Sequence, residues 1–188
     1  MMRFAYSPYS FTPTPADRRA LKLSARDTTC ILTYPDLKVR VCGAGKHSRE
    51  ESFWGLVDTG AAECVLPAEI AEWVRPAWCG EGAITDYSGA DHAVRYGLVH
   101  LQIRLEKERH RWPAVVAFCS DRKQAALWGR RCFLEYFRVT FDGPGNHFTI
   151  RLRGQLPPGS RSERVPILRP TRRGAKGSSL ITRDKQDP

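Results

Sequence analysis

The chemistry available to this sequence gathers at one tripeptide, Asp58-Thr59-Gly60. An apolar run, Phe53-Trp54-Gly55-Leu56-Val57, precedes it, and Ala61-Ala62-Glu63-Cys64-Val65-Leu66-Pro67 follows. A carboxylate at the mouth of a core is costly unless it is compensated, so Asp58 is either structural or a reagent. Gly60 lets the turn bend back and offers its N–H to the carboxylate. The Thr59 hydroxyl is able to bond across to a neighbouring loop. Two such carboxylates side by side share one proton. The ionised member draws a proton from water while the protonated member polarises a peptide carbonyl. That chemistry calls for no metal and no cofactor.

A second element lies further along the chain. Ala126-Leu127-Trp128-Gly129-Arg130 is followed by Arg131-Cys132-Phe133-Leu134-Glu135-Tyr136-Phe137-Arg138-Val139-Thr140-Phe141-Asp142. With both elements in order, the sequence resembles the retropepsin-like aspartic proteases, the single-domain relatives of retroviral protease. These join an apolar-apolar-Asp-Thr-Gly-Ala turn to a later apolar-apolar-Gly-Arg motif that opens a short helix. The resemblance covers about residues 30–153. It implies a mainly β fold: a closed antiparallel acid-protease barrel with one or two short helices, dimeric in its working form. It implies an aspartic endopeptidase acting on a peptide or protein substrate, with Asp58 catalytic and Thr59, Gly60 and Ala61 as the supporting turn. Leu127, Gly129 and Arg130 form the structural motif. Thr85 to Asp91 falls where such proteins carry a flap, with Tyr87, Ser88 and Gly89 as its substrate-covering residues.

Three positions depart from the pattern. An acidic residue usually follows Asp-Thr-Gly-Ala and pairs with the Arg of the second motif; here that position is Ala62, with Glu63 next. Cys64 stands where Thr or Ser is common. Trp128 replaces a usual Leu or Ile, and its bulk is expected to crowd the core or the pocket.

The chain holds one Asp-Thr-Gly and no Asp-Ser-Gly. Asp142-Gly143 lacks the central residue, and Asp86-Tyr87-Ser88-Gly89 has the wrong spacing. One copy supplies half a dyad, so the chemistry requires a two-fold homodimer that brings a second Asp58 across the axis. By analogy, Ile31–Val41 and Phe148–Leu152 are the candidate dimer-sheet strands. A competing reading is a protease-like domain used for binding or assembly, with weak or absent catalysis. It rests on Ala62, Trp128 and a flap poor in glycine.

The elements that must position these groups read as mostly β. Ile31 to Val41 is an extended segment, and Phe53 to Val57 is a short apolar strand. Val99, Leu101, Ile103 and Leu105 alternate with His100, Gln102 and Arg104, as a half-buried strand does. Glu106 to Arg111 reads as a hairpin connection and Val115 to Phe118 as the returning strand. One helix starts at Pro67 and runs through Ile70, Ala71 and Val74. A second follows Gly129 and sets Phe133, Tyr136 and Phe137 near one face. Val139 with Phe141, and Phe148 with Ile150 and Leu152, mark two strands joined at Asp142–Asn146.

Composition bounds the rest. The 188 residues fit one domain with appendages: an N-terminal extension over 1–29, the domain over 30–153, and a basic tail over 154–188 expected to be unstructured. The net charge is +10, yet residues 151–188 hold ten Lys/Arg and three Asp/Glu, which leaves residues 1–150 at +3. Nucleic-acid contact would therefore fall to Arg161, Arg164, Arg169, Arg172, Arg173 and Lys176. That tail has no interleaved aromatics, so a solvated extension is the simpler reading. The six cysteines are scattered, and Cys79, His92, His110 and Cys119 are badly spaced for a zinc site. No apolar run reads as a signal peptide or is long enough to cross a bilayer, so a cytoplasmic protein without membrane partners is expected.

Overall fold

A computed structural model describes residues 1–20, 22, 24, 26, 29–45, 49–86, 88–120 and 126–165. In chain order the elements are β1 (Met2–Ala5), β2 (Ser7–Phe11), α1 (Pro15–Ala20), β3 (Cys30–Tyr34), β4 (Asp36–Gly43) and β5 (Glu50–Val57). Then come β6 (Val65–Pro67), α2 (Glu69–Val74), β7 (Ala77–Thr85), β8 (Asp91–Leu105), β9 (Glu108–Cys119) and β10 (Ala126–Trp128). The last three are β11 (Phe137–Asp142), β12 (His147–Leu152) and β13 (Arg161–Arg164).

Six strands close into a barrel in the order β9-β6-β10-β5-β4-β8, with β8 returning to β9. The barrel is mostly antiparallel, with two parallel pairings among the six. β10 runs parallel to β5, and β6 runs parallel to β9. Hydropathy patterning reports which residues face inward but not the direction of the neighbouring strand. β8 is long enough to serve two purposes: Asp91–Leu98 pairs with β7, and Val99–Gln102 pairs with β4. The predicted connection Glu106–Arg111 is shorter than expected. Leu105 already faces Glu108, so only Glu106 and Lys107 turn, and Arg109 and Arg111 belong to β9.

Alternation explains the core. Leu37, Val39 and Val41 of β4 and Val99, Leu101 and Ile103 of β8 point inward and are essentially inaccessible. Trp112, Trp128, Phe133 and Phe137 fill the floor, with Trp112 and Phe137 rings 5.0 Å apart. Both indoles bury their N–H with a partner: Trp112 donates to the Cys132 carbonyl at 2.7 Å and Trp128 to the Leu37 carbonyl at 2.9 Å. A buried aromatic of this size stabilises the fold by roughly 1.5–3 kcal/mol.

Both helix expectations need qualification. The first helix is α2, which begins at Glu69 rather than Pro67, because Val65–Pro67 is taken by β6. The second is not a regular helix. Arg130–Leu134 makes one wide turn, with Arg131 extended and Cys132 at φ 66°. The Cys132 carbonyl is claimed by Trp112 and the Arg131 carbonyl by the Cys64 thiol, so neither is free for a helical ladder. Tyr136 then leads directly into β11.

Beside the barrel, β1-β12-β11 form a three-stranded sheet and β2-β3 a two-stranded ribbon. The strand expected over Ile31–Val41 is broken at Pro35 into β3 and β4. β12 lies between β1 and β11, and β4 lies between β5 and β8. Phe148–Ile150 and Arg40–Val41 are therefore paired on both sides, whereas Ile31–Tyr34 of the expected dimer-sheet strands pairs with β2 alone and keeps an open edge. The extension contributes β1, whose Phe4 stacks on Phe148 at 5.3 Å. Within the expected tail, Arg161–Arg164 pairs with Arg111–Glu108 of β9, so the folded chain continues beyond residue 153. Arg169, Arg172, Arg173 and Lys176 lie outside the described residues.

Candidate active site

β5 delivers Asp58 to its position. The Val57 N–H bonds to the Pro35 carbonyl at 3.0 Å, and the Asp58 N–H bonds to the Trp128 carbonyl at 3.2 Å. The chain then turns, and the Gly60 N–H donates to Asp58 Oδ1 at 2.8 Å. A Cβ on Gly60 would stand 3.1 Å from that same oxygen, so a side chain there would crowd the carboxylate. Asp58 itself is half-buried, held on one oxygen and open on the other side to the cleft.

The second motif clamps this turn by backbone contacts. The Arg130 N–H donates to the Ala61 carbonyl and the Arg131 N–H to the Ala62 carbonyl, both at 2.9 Å. Gly129 makes the approach possible, since a Cβ there would sit 2.1 Å from the Glu63 carbonyl oxygen. Ala62 thus does without an acidic side chain: its carbonyl, not a carboxylate, joins the two motifs. The Arg130 guanidinium makes no ion pair with any described residue. Trp128 crowds neither cleft nor core. It packs where β5 carries Gly55, whose Cβ would meet the Trp128 Nε1 at 2.7 Å.

A cleft of about 670 Å³ opens above Asp58. Gly60, Ala61, Ala62, Glu63 and Val65 line one side, Leu127 the floor, and Ala83 to Asp86 with His92 and Tyr96 the roof. The roof is the β7–β8 hairpin, the segment expected as a flap. Its tip is organised by Asp86, which the sequence reading passed over. Asp86 Oδ1 accepts from the Ser88 N–H at 2.8 Å, the Ser88 hydroxyl at 2.6 Å and the Ala90 N–H at 3.2 Å. Asp86 Oδ2 lies 3.0 Å from His92 Nε2. The Ser88 hydroxyl and then His92 hold the Asp86 carboxyl well below the usual carboxylate range. Gly89 takes φ +86°, which closes the turn. Ser88 and Gly89 sit at the tip, while Tyr87 lies outside the described residues.

Thr59 faces elsewhere. It is exposed, makes no hydrogen bond to a described residue, and lines with Arg130, Phe137 and Arg153 a separate groove of about 450 Å³. The structure therefore brings together Asp58, Gly60, Ala61 and Leu127 in one cleft and sets Thr59 and Arg130 on the neighbouring face.

The cleft also holds residues that sequence reasoning did not assign: Glu63, Asp86, His92 and Tyr96. An Asp two residues before Ser-Gly is a turn-organising signal that was available. Nothing local marks Glu63, which sits in the turn before β6, or Tyr96, which arrives from β8. Glu63 lies 3.5 Å from Arg131, and burial followed by the Glu63 carboxylate pushes the Tyr96 phenol up. Asp86 is thus committed to the hairpin tip, whereas Glu63 reaches Arg131 with one oxygen at 3.5 Å and leaves Oε2 buried without a hydrogen-bond partner among the described residues. Among the described residues no group of three or more His, Cys, Asp or Glu side chains is arranged to hold a metal ion. No helix among them is long and apolar enough to cross a membrane. No protein-family model matches the chain, and no curated protein matches it.

Proposed function

We propose that the chain is an aspartic endopeptidase of the retropepsin-like type, active as a homodimer in which two copies each contribute Asp58. The observation that carries this reading is the clamp. An Asp-Thr-Gly turn and a Gly-Arg segment some seventy residues later meet through three backbone hydrogen bonds at the base of a hairpin-roofed cleft.

The chemistry runs without a metal. One Asp58 is ionised and its symmetry mate protonated, since two adjacent carboxylates do not both ionise cheaply. The ionised carboxylate takes a proton from water as the water oxygen bonds to the peptide carbonyl carbon. The protonated carboxylate gives its proton to the carbonyl oxygen, and a neutral tetrahedral diol forms. Collapse returns one hydroxyl proton to the ionised carboxylate while the other carboxylate gives the proton it took from water to the amide nitrogen. The C–N bond breaks, releasing an acid and an amine with the dyad again holding one proton.

Geometry supports the need for a second copy. Asp86 is engaged at the hairpin tip away from Asp58, and Thr59 and Arg130 line one exposed groove with no described hydrogen-bond or ion-pair partner. In the dimer those groups brace the paired turns. The test is digestion of a peptide library by wild type and Asp58→Asn, with mass measured by light scattering on the same samples. Cleavage by dimeric wild type and none by dimeric Asp58→Asn is the expected result. Equal cleavage by both refutes the proposal, and a fold with no cleavage under any condition returns the chain to the binding reading.

A further inference from the structure

The outer face of the barrel sheet carries charge that the net count hides. Lys38 and Arg40 of β4, Arg104 of β8, Arg109 and Arg111 of β9 and Arg161 of β13 all point outward, because their neighbours in sequence point into the core. Register sets two like-charged pairs directly opposite each other: Arg104 against Arg109 and Arg111 against Arg161. Such pairs destabilise a sheet. On this face the opposing carboxylates are Asp36, Glu50 and Glu163. Glu50 lies 3.2 Å from Arg40 and 3.7 Å from Arg111, and Glu163 faces Arg109 in register. Six cations against three carboxylates leave an unneutralised surplus. His100, on the same face, responds to it: burial lowers its pKa first, and Arg111 and Arg161 lower it further.

One aromatic completes the face. Trp54 of β5 is 56% exposed and sits opposite Lys38, whose Nζ is 6.0 Å from its ring centre. A large exposed indole at the border of a basic sheet has no role in the core or in the cleft. We propose that this face binds single-stranded nucleic acid, the cations contacting phosphates and Trp54 stacking on an unpaired base. A row of cations with a free aromatic face is what a single strand can use. A duplex keeps its bases paired and would leave Trp54 idle. An acidic membrane surface would use the charge but not the stacking. This site is separate from Asp58 and does not depend on its chemistry.

The test uses the full chain and short fluorescein-labelled single-stranded DNA and RNA of mixed sequence, read by anisotropy at two salt concentrations. In one variant Lys38, Arg40 and Arg104 become Gln; in a second Arg169, Arg172 and Arg173 become Gln; in a third Trp54 becomes Ala. The first is expected to lose at least about tenfold in affinity, with the log–log salt slope about 2 shallower. Trp54→Ala is expected to lose roughly tenfold with little change of slope. The second variant and Asp58→Asn retain most of the binding. Circular dichroism identifies any variant that fails to fold, in which case Arg104→Gln alone replaces the triple variant. No binding by wild type, a loss confined to the second variant, or insensitivity to Trp54→Ala overturns the proposal. Tighter binding to phosphatidylserine vesicles than to either oligonucleotide overturns it in favour of a membrane surface.

Discussion

The cleft around Asp58 and the outer sheet face share β5 and β8 and carry opposite charge. In the cleft, Asp58, Glu63 and Asp86 line a hollow whose other walls are mostly small or apolar residues, with Thr85, His92 and Tyr96 in the roof. On the outer face, cations stand in rows across β13, β9, β8 and β4. The cleft is held by backbone bonds and cannot tolerate an added methyl at Gly129. The outer face is held by the alternation of the strands and tolerates change in its exposed side chains. Rigidity therefore lies where reacting atoms must be placed to a fraction of an ångström, and freedom where long side chains meet a flexible polymer.

The sharpest way to separate the two regions is Asp58→Asn. Peptide cleavage should fall by about a thousandfold or more, while oligonucleotide binding and urea midpoint stay as in wild type. Parallel loss of both activities would mean that the regions are one site. Next in size is Gly129→Ala. A Cβ forced to 2.1 Å from a carbonyl must push the two motifs apart, so urea denaturation should show a loss of about 3 kcal/mol or more. A stability within about 0.5 kcal/mol of wild type would show that the clamp yields easily.

Asp86→Ala comes third. It leaves the outer face untouched but frees the hairpin tip, and KM for a peptide substrate should rise about fivefold to tenfold with kcat less affected. An unchanged KM would remove the tip from the substrate path. The mildest effect concerns acid. Burial lowers the pKa of both His100 and His110 below the ordinary imidazole value. The unfolded chain then binds more protons than the folded one as pH drops below about 6.5, so stability rises with pH through that window and falls below it. Urea midpoints measured on either side of pH 6.5 should show this decline, and His110→Phe should flatten it. A midpoint that rises toward acid contradicts the assignment.

The Asp58 turn was readable in the sequence because its signals are local. Asp, Thr and Gly sit together, apolar residues flank them, and one β turn joins them. The alternation in β8, the core facing of β4 and the turn at Asp142–Asn146 were readable for the same reason. Other features depend on residues far apart. Gly55 has meaning only once Trp128 lies against it. The parallel pairing of β5 with β10 leaves no trace in either strand. The expected helix after Gly129 failed because Trp112, from another strand, claims a carbonyl that a helix would have used. The outer face was missed because +3 over 150 residues is an average, and only register segregates the charges.

The clamp has a further consequence in time. Its bonds join Asp58 to Trp128 and Ala61 to Arg130, and β10 is held between β5 and β6. A growing chain shorter than 130 residues cannot make them. The hairpin of β8 and β9 closes over two residues and is able to form early, whereas β10 must find a slot between strands made long before it. Synthesis at roughly 5–20 residues per second leaves the Asp58 turn unsupported for several seconds after it emerges. The nascent chain is thus made with its reactive carboxylate unassembled, and completion of the barrel is the event that sets it in place.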